Sequence, residues 1–329
     1  MLELKEYVKI AYKKLKASVY FDKTQLPLRD KITTFESRSK IGKRLEEIVE
    51  ALSGTKTEWE QFKETRLKSV GILVFPKKLK AIEQNMVILN GDSTPIEMDA
   101  PQYFIDLDVE GHILSVLWVL SVGTALDPGG EGGMYEHSYG NRLKKNLFNE
   151  QSGNITYSPG LFEPYFSQYE NWRDKGLEYA QDRLKDEQDA LILTLDFKSF
   201  FYSVDLQKKD FEGFLKKLDA PGPERWQKRV NEFVFQVICA YSEKLRGCCA
   251  GTKLSVEKRN VLPIGFLPSN ILANWVLTPF DNAVIERWNP TYYGRYVDDI
   301  IIVDKVEKTA RSTGGCGRKI RVSDSPPMR

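Results

Sequence analysis

Two histidines and four cysteines in 329 residues set the first limits on this chain. His112 and His137 are too few, and too far from the carboxylate runs, for a catalytic triad or an imidazole metal cluster, so both read as structural. Cys239, Cys248, Cys249 and Cys316 show neither zinc-type spacing nor a disulfide framework, which predicts a reducing, cytoplasmic home. A formal net charge of only +2 supplies no global field, and binding to nucleic acid must then rest on local basic clusters. No run approaches the ~20 apolar residues of a membrane span. Acidic residues precede any apolar run at the N-terminus, which argues against a signal peptide. Internal repeats are lacking, and the glycines of Gly129–Gly133 have no following Lys-Ser/Thr, so they read as a linker and not a phosphate cradle.

What is present is a core. Hydrophobic residues make up 41% of the chain and aromatics 12%, enough for two compact units. Leu4, Val8, Ala11 and Leu15, then Ile41, Leu45, Ile48, Val49 and Leu52, recur at helical spacing, with Gly54 closing the second run. Val70–Phe75 predicts a short strand broken by Pro76, and Ile113–Leu120 a buried helix. Further helices are expected from Tyr165 to Leu184, from Trp226 to Leu245, and from Pro268 to Trp288. Basic clusters fall at Lys5, Lys9, Lys13, Lys14 and Lys16, expected as a solvated helix face, at Lys77, Lys78 and Lys80, and at Arg142, Lys144 and Lys145.

The chemistry lies in the acidic residues. Tyr296-Val297-Asp298-Asp299 precedes Ile300-Ile301-Ile302-Val303, setting adjacent carboxylates where an apolar strand meets a tight turn. Such a pair repels itself and needs a cation if partly buried, although a solvated hairpin turn has the same pattern. Asp196 ends the apolar run Ala190–Leu195, which reads as a buried strand; it caps that strand, pairs with Lys198, or joins the other two carboxylates. Carboxylates from separate strand ends are the means of holding two divalent ions about 3.5–4 Å apart for phosphoryl transfer.

Asp196-Phe-Lys-Ser-Phe-Phe201, Leu262-Pro-Ile-Gly265 with Pro268-Ser269-Asn270-Ile-Leu-Ala-Asn274, and Tyr296-Val-Asp-Asp299 occur in the order and approximate spacing of reverse transcriptase palm motifs A, B and C. Upstream, Ser138-Tyr-Gly-Asn-Arg-Leu143 resembles the Ser-Tyr-Gly-x-Arg segment of bacterial reverse transcriptases, and Phe75-Pro-Lys77 is similar to their fingers segment. The resemblance implies an α+β fold: right-hand polymerase fingers and palm, an antiparallel palm sheet packed on helices, and a helical N-terminal region. The expected division is 1–69 N-terminal helices, 70–189 fingers with an insert, and 190–305 palm. The segment 306–329 has no apolar period and reads as the disordered tail of a truncated or frame-shifted chain lacking its thumb.

The same resemblance implies Asp196, Asp298 and Asp299 as catalytic residues that, with the Phe197 carbonyl, bind Mg²⁺, or Mn²⁺ in its place. Phe201 falls where the family carries a steric gate against the ribose 2′-hydroxyl, which favours dNTPs; the residues alone equally suit a core aromatic. Gly265, Ser269 and Asn270 would line the incoming nucleotide, the last two being equally well placed to cap the helix that follows. Lys77 and Arg142 either grip the triphosphate or template backbone or form salt bridges. Partners implied are an RNA or DNA template and primer, or protein-primed DNA, with dNTPs; no membrane is involved, and an oligomer fits. Ile264 in place of the usual Gln, and the insert Leu161-Phe-Glu-Pro-Tyr165 with Trp172-Arg-Asp174, resemble the antiphage-defence and abortive-infection branch, related to retron and group II intron enzymes, some of which extend DNA without a template.

Overall fold

A computed structural model describes residues 3–22, 25–38, 40–77, 101–127, 136–144, 147, 160–186, 188–219, 221–249, 254 and 256–306. Lys78, Lys80, Lys145, Cys316, the Gly129–Gly133 run and the segment 307–329 lie outside the described residues.

The chain opens with four helices, α1 (Leu4–Phe21), α2 (Leu26–Arg38), α3 (Ile41–Ser53) and α4 (Lys56–Lys68). The apolar spacing seen in the sequence becomes their buried faces: Val8, Ala11, Leu15, Ile48 and Leu52 are fully enclosed. Thr55 starts α4 with a capping box, its hydroxyl accepting from the Glu58 N–H while Glu58 accepts from the Thr55 N–H at 2.7 Å.

One lysine of α1 departs from the expected solvated face. Lys14 is 2% exposed and donates to the Gly160 carbonyl at 3.2 Å, and burial, with Lys144 nearby, lowers its ammonium to about 8. Lys5 pairs with Glu46, Lys9 with Glu6 and Lys16 with Glu36. Lys5, Lys9 and Lys16 stay on the solvated face expected of them, their side chains 50%, 43% and 45% exposed.

Next come β1 (Gly71–Pro76) and β2 (Pro101–Asp106), an antiparallel pair in which Pro76 ends the strand opposite Pro101. Asp108 then caps α5 (Val109–Trp118) by accepting from the Gly111 N–H at 2.8 Å. All ten residues of α5 are buried, and a π-helical turn at Val119–Gly123 carries it into α6 (Thr124–Leu126). Among the described residues, Val109–Leu126 is long and apolar enough to cross a membrane by composition, contrary to the expectation that no run approaches a span; 89% of it is buried inside the protein. It is the central helix of the core, packed by α1, α2, α10 and α11, the last two being Arg225–Cys248 and Leu267–Arg287. His112 on α5 is enclosed, and burial holds its imidazole down to about 3, so it stays neutral and structural.

The second half of the chain runs α7 (Tyr165–Lys185), β3 (Ala190–Asp196), α8 (Phe200–Ser203), α9 (Lys208–Leu215), α10, α11, β4 (Tyr292–Tyr296) and β5 (Asp299–Lys305). The three strands form an antiparallel sheet in the order β3-β5-β4. Alternation along β5 splits its apolar run between the two faces. Ile301 and Val303 meet Trp172 and Ala180 of α7, while Ile300 and Ile302 meet Val284 of α11. The class is thus α+β, with the antiparallel sheet held between helices.

One strand differs from its sequence reading. Among the described residues β3 pairs with β5 alone, and Leu191 and Leu195 remain 44% and 42% exposed. Its apolar run marks an edge strand, buried only where Ala190, Ile192 and Leu193 reach neighbouring clusters.

Candidate active site

The β4–β5 hairpin turns in two residues, Val297 and Asp298, between the paired Tyr296 and Asp299. Val297 sits at φ 56°, in the left-handed region where a β-branched residue is an outlier costing ~1–3 kcal/mol. Such a turn persists only if its surroundings over-determine it.

They do so through a buried polar lattice beneath the turn. Arg295, with no exposed surface, forks onto Asp281 through Nε at 2.8 and 2.9 Å and Nη2 at 2.8 Å. Its Nη1 donates to Asn274 Oδ1 at 2.7 Å and reaches the Val297 carbonyl at 3.4 Å. Asn274 in turn accepts from the Ser138 hydroxyl at 2.9 Å and donates to the Gly140 carbonyl at 2.9 Å. The segment around Ser138 also runs along β4: Tyr139 N–H donates to the Arg295 carbonyl at 2.9 Å and Arg295 N–H to the His137 carbonyl at 2.8 Å.

Gly140 lets this segment reach the turn. A Cβ there would lie 2.8 Å from Val297 Cγ2 and 2.9 Å from the Val297 nitrogen, which leaves no room for a side chain.

Three carboxylates gather above this lattice. Asp196, at the end of β3, is the register partner of Asp299 on β5, and the Phe197 N–H reaches the Asp298 carbonyl at 3.4 Å. Burial pushes the Asp298 carboxyl up from its ordinary range, and the charges of Asp299 and Asp196 push it further. Asp299 is raised by burial and then by Asp196. Lys77, beyond the end of β1, acts on both in the opposite sense. A lysine more than two hundred residues upstream in sequence thus faces the acidic turn.

The donor set is all carboxylate oxygen, crowded and self-repelling, which is the chemistry that suits a hard divalent cation such as Mg²⁺. Among the described residues no three His, Cys, Asp or Glu side chains are drawn close enough together to hold a metal ion. The chemistry of the donors fits such an ion.

The model of the family described as reverse transcriptase (RNA-dependent DNA polymerase) matches residues 139–314, more than half of the chain. The chain belongs to the reverse transcriptase family. Comparison with curated proteins yields no match.

Within this reverse transcriptase, motifs A and B are stitched together at Phe201, whose carbonyl accepts from the Leu262 N–H at 3.0 Å. The Phe201 ring is half-buried, edge-on to Phe200 at 5.8 Å. Phe197 packs its ring on Phe280 at 5.3 Å, and its carbonyl accepts from the Phe200 N–H at 3.2 Å, leaving one lone pair for any other role. Gly265 has φ 83°, and a Cβ there would stand 2.9 Å from Gln25 Nε2 and 3.2 Å from Phe104 Cδ1. The neighbouring Ile264 carbonyl accepts from the Ile105 N–H at 2.9 Å, tying motif B to β2.

Two expectations about motif B and the upstream segment need correction. Neither Ser269 nor Asn270 caps α11: its N-cap is Phe266, without a side-chain bond, because proline at the helix start moves the boundary upstream. The Ser269 hydroxyl, 1% exposed, donates to the Pro263 carbonyl at 2.8 Å, and Asn270 accepts from Asn141 at 3.3 Å. Both brace the motif B turn from within. Arg142 forms an ion pair, but a buried one: it grips Asp127 through Nε and Nη2 at 3.0–3.2 Å and donates to the Ser138 carbonyl at 3.0 Å. That guanidinium is committed to the scaffold, and of the two basic candidates it is Lys77 whose charge reaches the carboxylates.

Arg295 and Asp281 were not singled out from sequence. The signal was available in Tyr292-Tyr-Gly-Arg-Tyr296, where a cation interrupts an otherwise apolar and aromatic strand and so demands a buried anion.

Proposed function

We propose that this reverse transcriptase adds dNTPs to a nucleic-acid end by nucleotidyl transfer at Asp196, Asp298 and Asp299. The observation that carries the reading is the meeting of the three carboxylates: Asp196 ends β3 opposite Asp299 in register, the Phe197 N–H reaches the Asp298 carbonyl at 3.4 Å, and Lys77 opposes the upward shift of Asp298 and Asp299. Asp196 and Asp298 would hold the ions, with Asp299 and the Phe197 carbonyl in support. Mg²⁺, or Mn²⁺, bound there supplies charge neutralisation for the attacking and departing oxygens. Lys77 adds a mobile cation for triphosphate oxygens. The Phe201 ring, edge-on to Phe200 on a main chain bonded to Leu262, presents a wall that a ribose 2′-hydroxyl would meet. In this reading residues 70–189 serve as fingers and 190–305 as palm.

Asp298→Ala is expected to abolish dNTP incorporation while leaving the circular dichroism spectrum and thermal midpoint near those of the parent. Retained incorporation by that variant would sink the assignment. A palm-fold nucleic-acid-binding protein is the second reading. Absence of metal-dependent incorporation by the parent protein, with oligonucleotide binding intact, would select it.

We place the protein in the antiphage-defence branch and in the cytoplasm. Ile264, the helix that follows Leu161–Pro164, and the free thiols of Cys239 and Cys248 support this. Incorporation with and without an RNA template distinguishes copying from untemplated extension.

A further inference from the structure

The insert helix α7 begins beside the catalytic turn, and its first two residues are large, exposed rings. Tyr165 is 58% and Phe166 73% exposed. Beneath Tyr165 the rings are layered: it stacks on Tyr169 at 5.6 Å and 16°, and meets the motif C ring of Tyr296 edge-on at 5.3 Å. Tyr169 leans on Trp172 at 5.3 Å and on Tyr296 at 5.5 Å, which roots the column in the sheet. Phe166 stands against Tyr165 at 5.7 Å, nearly perpendicular. The column is anchored below and open above.

Its position selects an occupant. Tyr296 is three residues from Asp299, and the Tyr165 phenol is raised by burial, by Tyr169, and by the charge of Asp299 itself. Any strand extended at the carboxylates must bring its last bases past this spot. Every base has a π-face, so an open aromatic column binds a strand without reading its sequence. The first turn of α7 carries no acidic side chain to repel the phosphates that come with those bases.

We propose that Tyr165 and Phe166 form a stacking platform that seats the terminal bases of the strand being extended. The proposal rests on the reading of Asp196, Asp298 and Asp299 as a polymerising site. The rings are positioning residues: the ring face does the work, and the Tyr165 hydroxyl has no part in it.

The test uses the full chain with a primer–template carrying 2-aminopurine at the primer end, read both by quenching on binding and by dNTP incorporation. Tyr165→Leu/Phe166→Leu keeps apolar bulk and should keep the thermal midpoint, yet raise the primer KM about tenfold or more and remove the quenching, with the dNTP KM unchanged. Tyr165→Phe should stay within about twofold of the parent, since the ring is retained. An unchanged primer KM and quench in the double variant would overturn the platform. So would a Tyr165→Phe variant as impaired as the double one, which would shift the role to the hydroxyl, or a double variant that binds primer normally but no longer self-associates. Should the parent incorporate nothing, the polymerase reading fails, and the quenching comparison still decides the platform.

Discussion

Two charged regions lie within four residues of each other on the same hairpin and are opposites. At Arg295 a guanidinium and the Asp281 carboxylate are both sealed from water, with every lone pair and proton engaged by Asn274, Tyr293 or each other. At Asp298 and Asp299 like charges crowd together at a partly open surface: Asp299 and Asp196 make Asp298 harder to ionise, and Asp196 does the same to Asp299. The first region is electrostatically complete and the second is not. A satisfied network below holds an unsatisfied one above, and the strained Val297 turn joins them.

The largest effect should come from breaking the lower region. Arg295→Met leaves Asp281 buried and unpaired, and a loss of about 3–5 kcal/mol in chemical denaturation is expected. Adding Asp281→Leu should restore much of that stability without restoring incorporation, because the Val297 carbonyl and Asn274 have still lost their donor. Recovery of both together would mean that the network serves stability alone.

Next is the contact between the regions. Gly140→Ala forces a methyl against the Val297 backbone nitrogen, which cannot swing aside, and should cost about 1–3 kcal/mol. Incorporation should fall further than stability, since the displaced atoms belong to the catalytic turn. A melting curve and a primer-extension rate on the same preparation compare the two.

The smallest effect concerns the upper region. Asp298→Asn removes a repelling charge and should raise the thermal midpoint measured without divalent ions, even as activity disappears. The sign follows from the raised folded-state value: an acid of this kind stabilises at low pH and loses that contribution as pH rises through its folded pKa. The gap between variant and parent should therefore widen from acid to neutral pH, and adding Mg²⁺ should narrow it by stabilising the parent. A gap that shrinks as pH rises would contradict the crowding of these carboxylates.

Much of this was legible from sequence because it was local. The three motifs, the carboxylates and the helices α1, α3, α10 and α11 each declare themselves in a short window of spacing and residue type. What escaped depends on neighbours distant in sequence. An apolar run such as Ala190–Leu195 announces a strand but not whether its outer edge is covered, and here, among the described residues, it pairs on one side only. Lys14 looks like its four companions until the fold brings Gly160 over it. Ser269 and Asn270 have the residue types of helix caps, yet the Leu267-Pro268 start sets the boundary at Phe266. Arg142 carries the charge a phosphate would want, and Asp127 has already claimed it.

The edge position of β3 has a mechanical consequence. Asp298 and Asp299 sit on a turn clamped from below by Arg295 and from the side by Gly140, whereas Asp196 sits on a strand that, among the described residues, is bonded along one side. Asp299 lies on the central strand, held by β3 and β4, and Asp196 on an outer one held by β5, so the two facing carboxylates are fixed to different degrees.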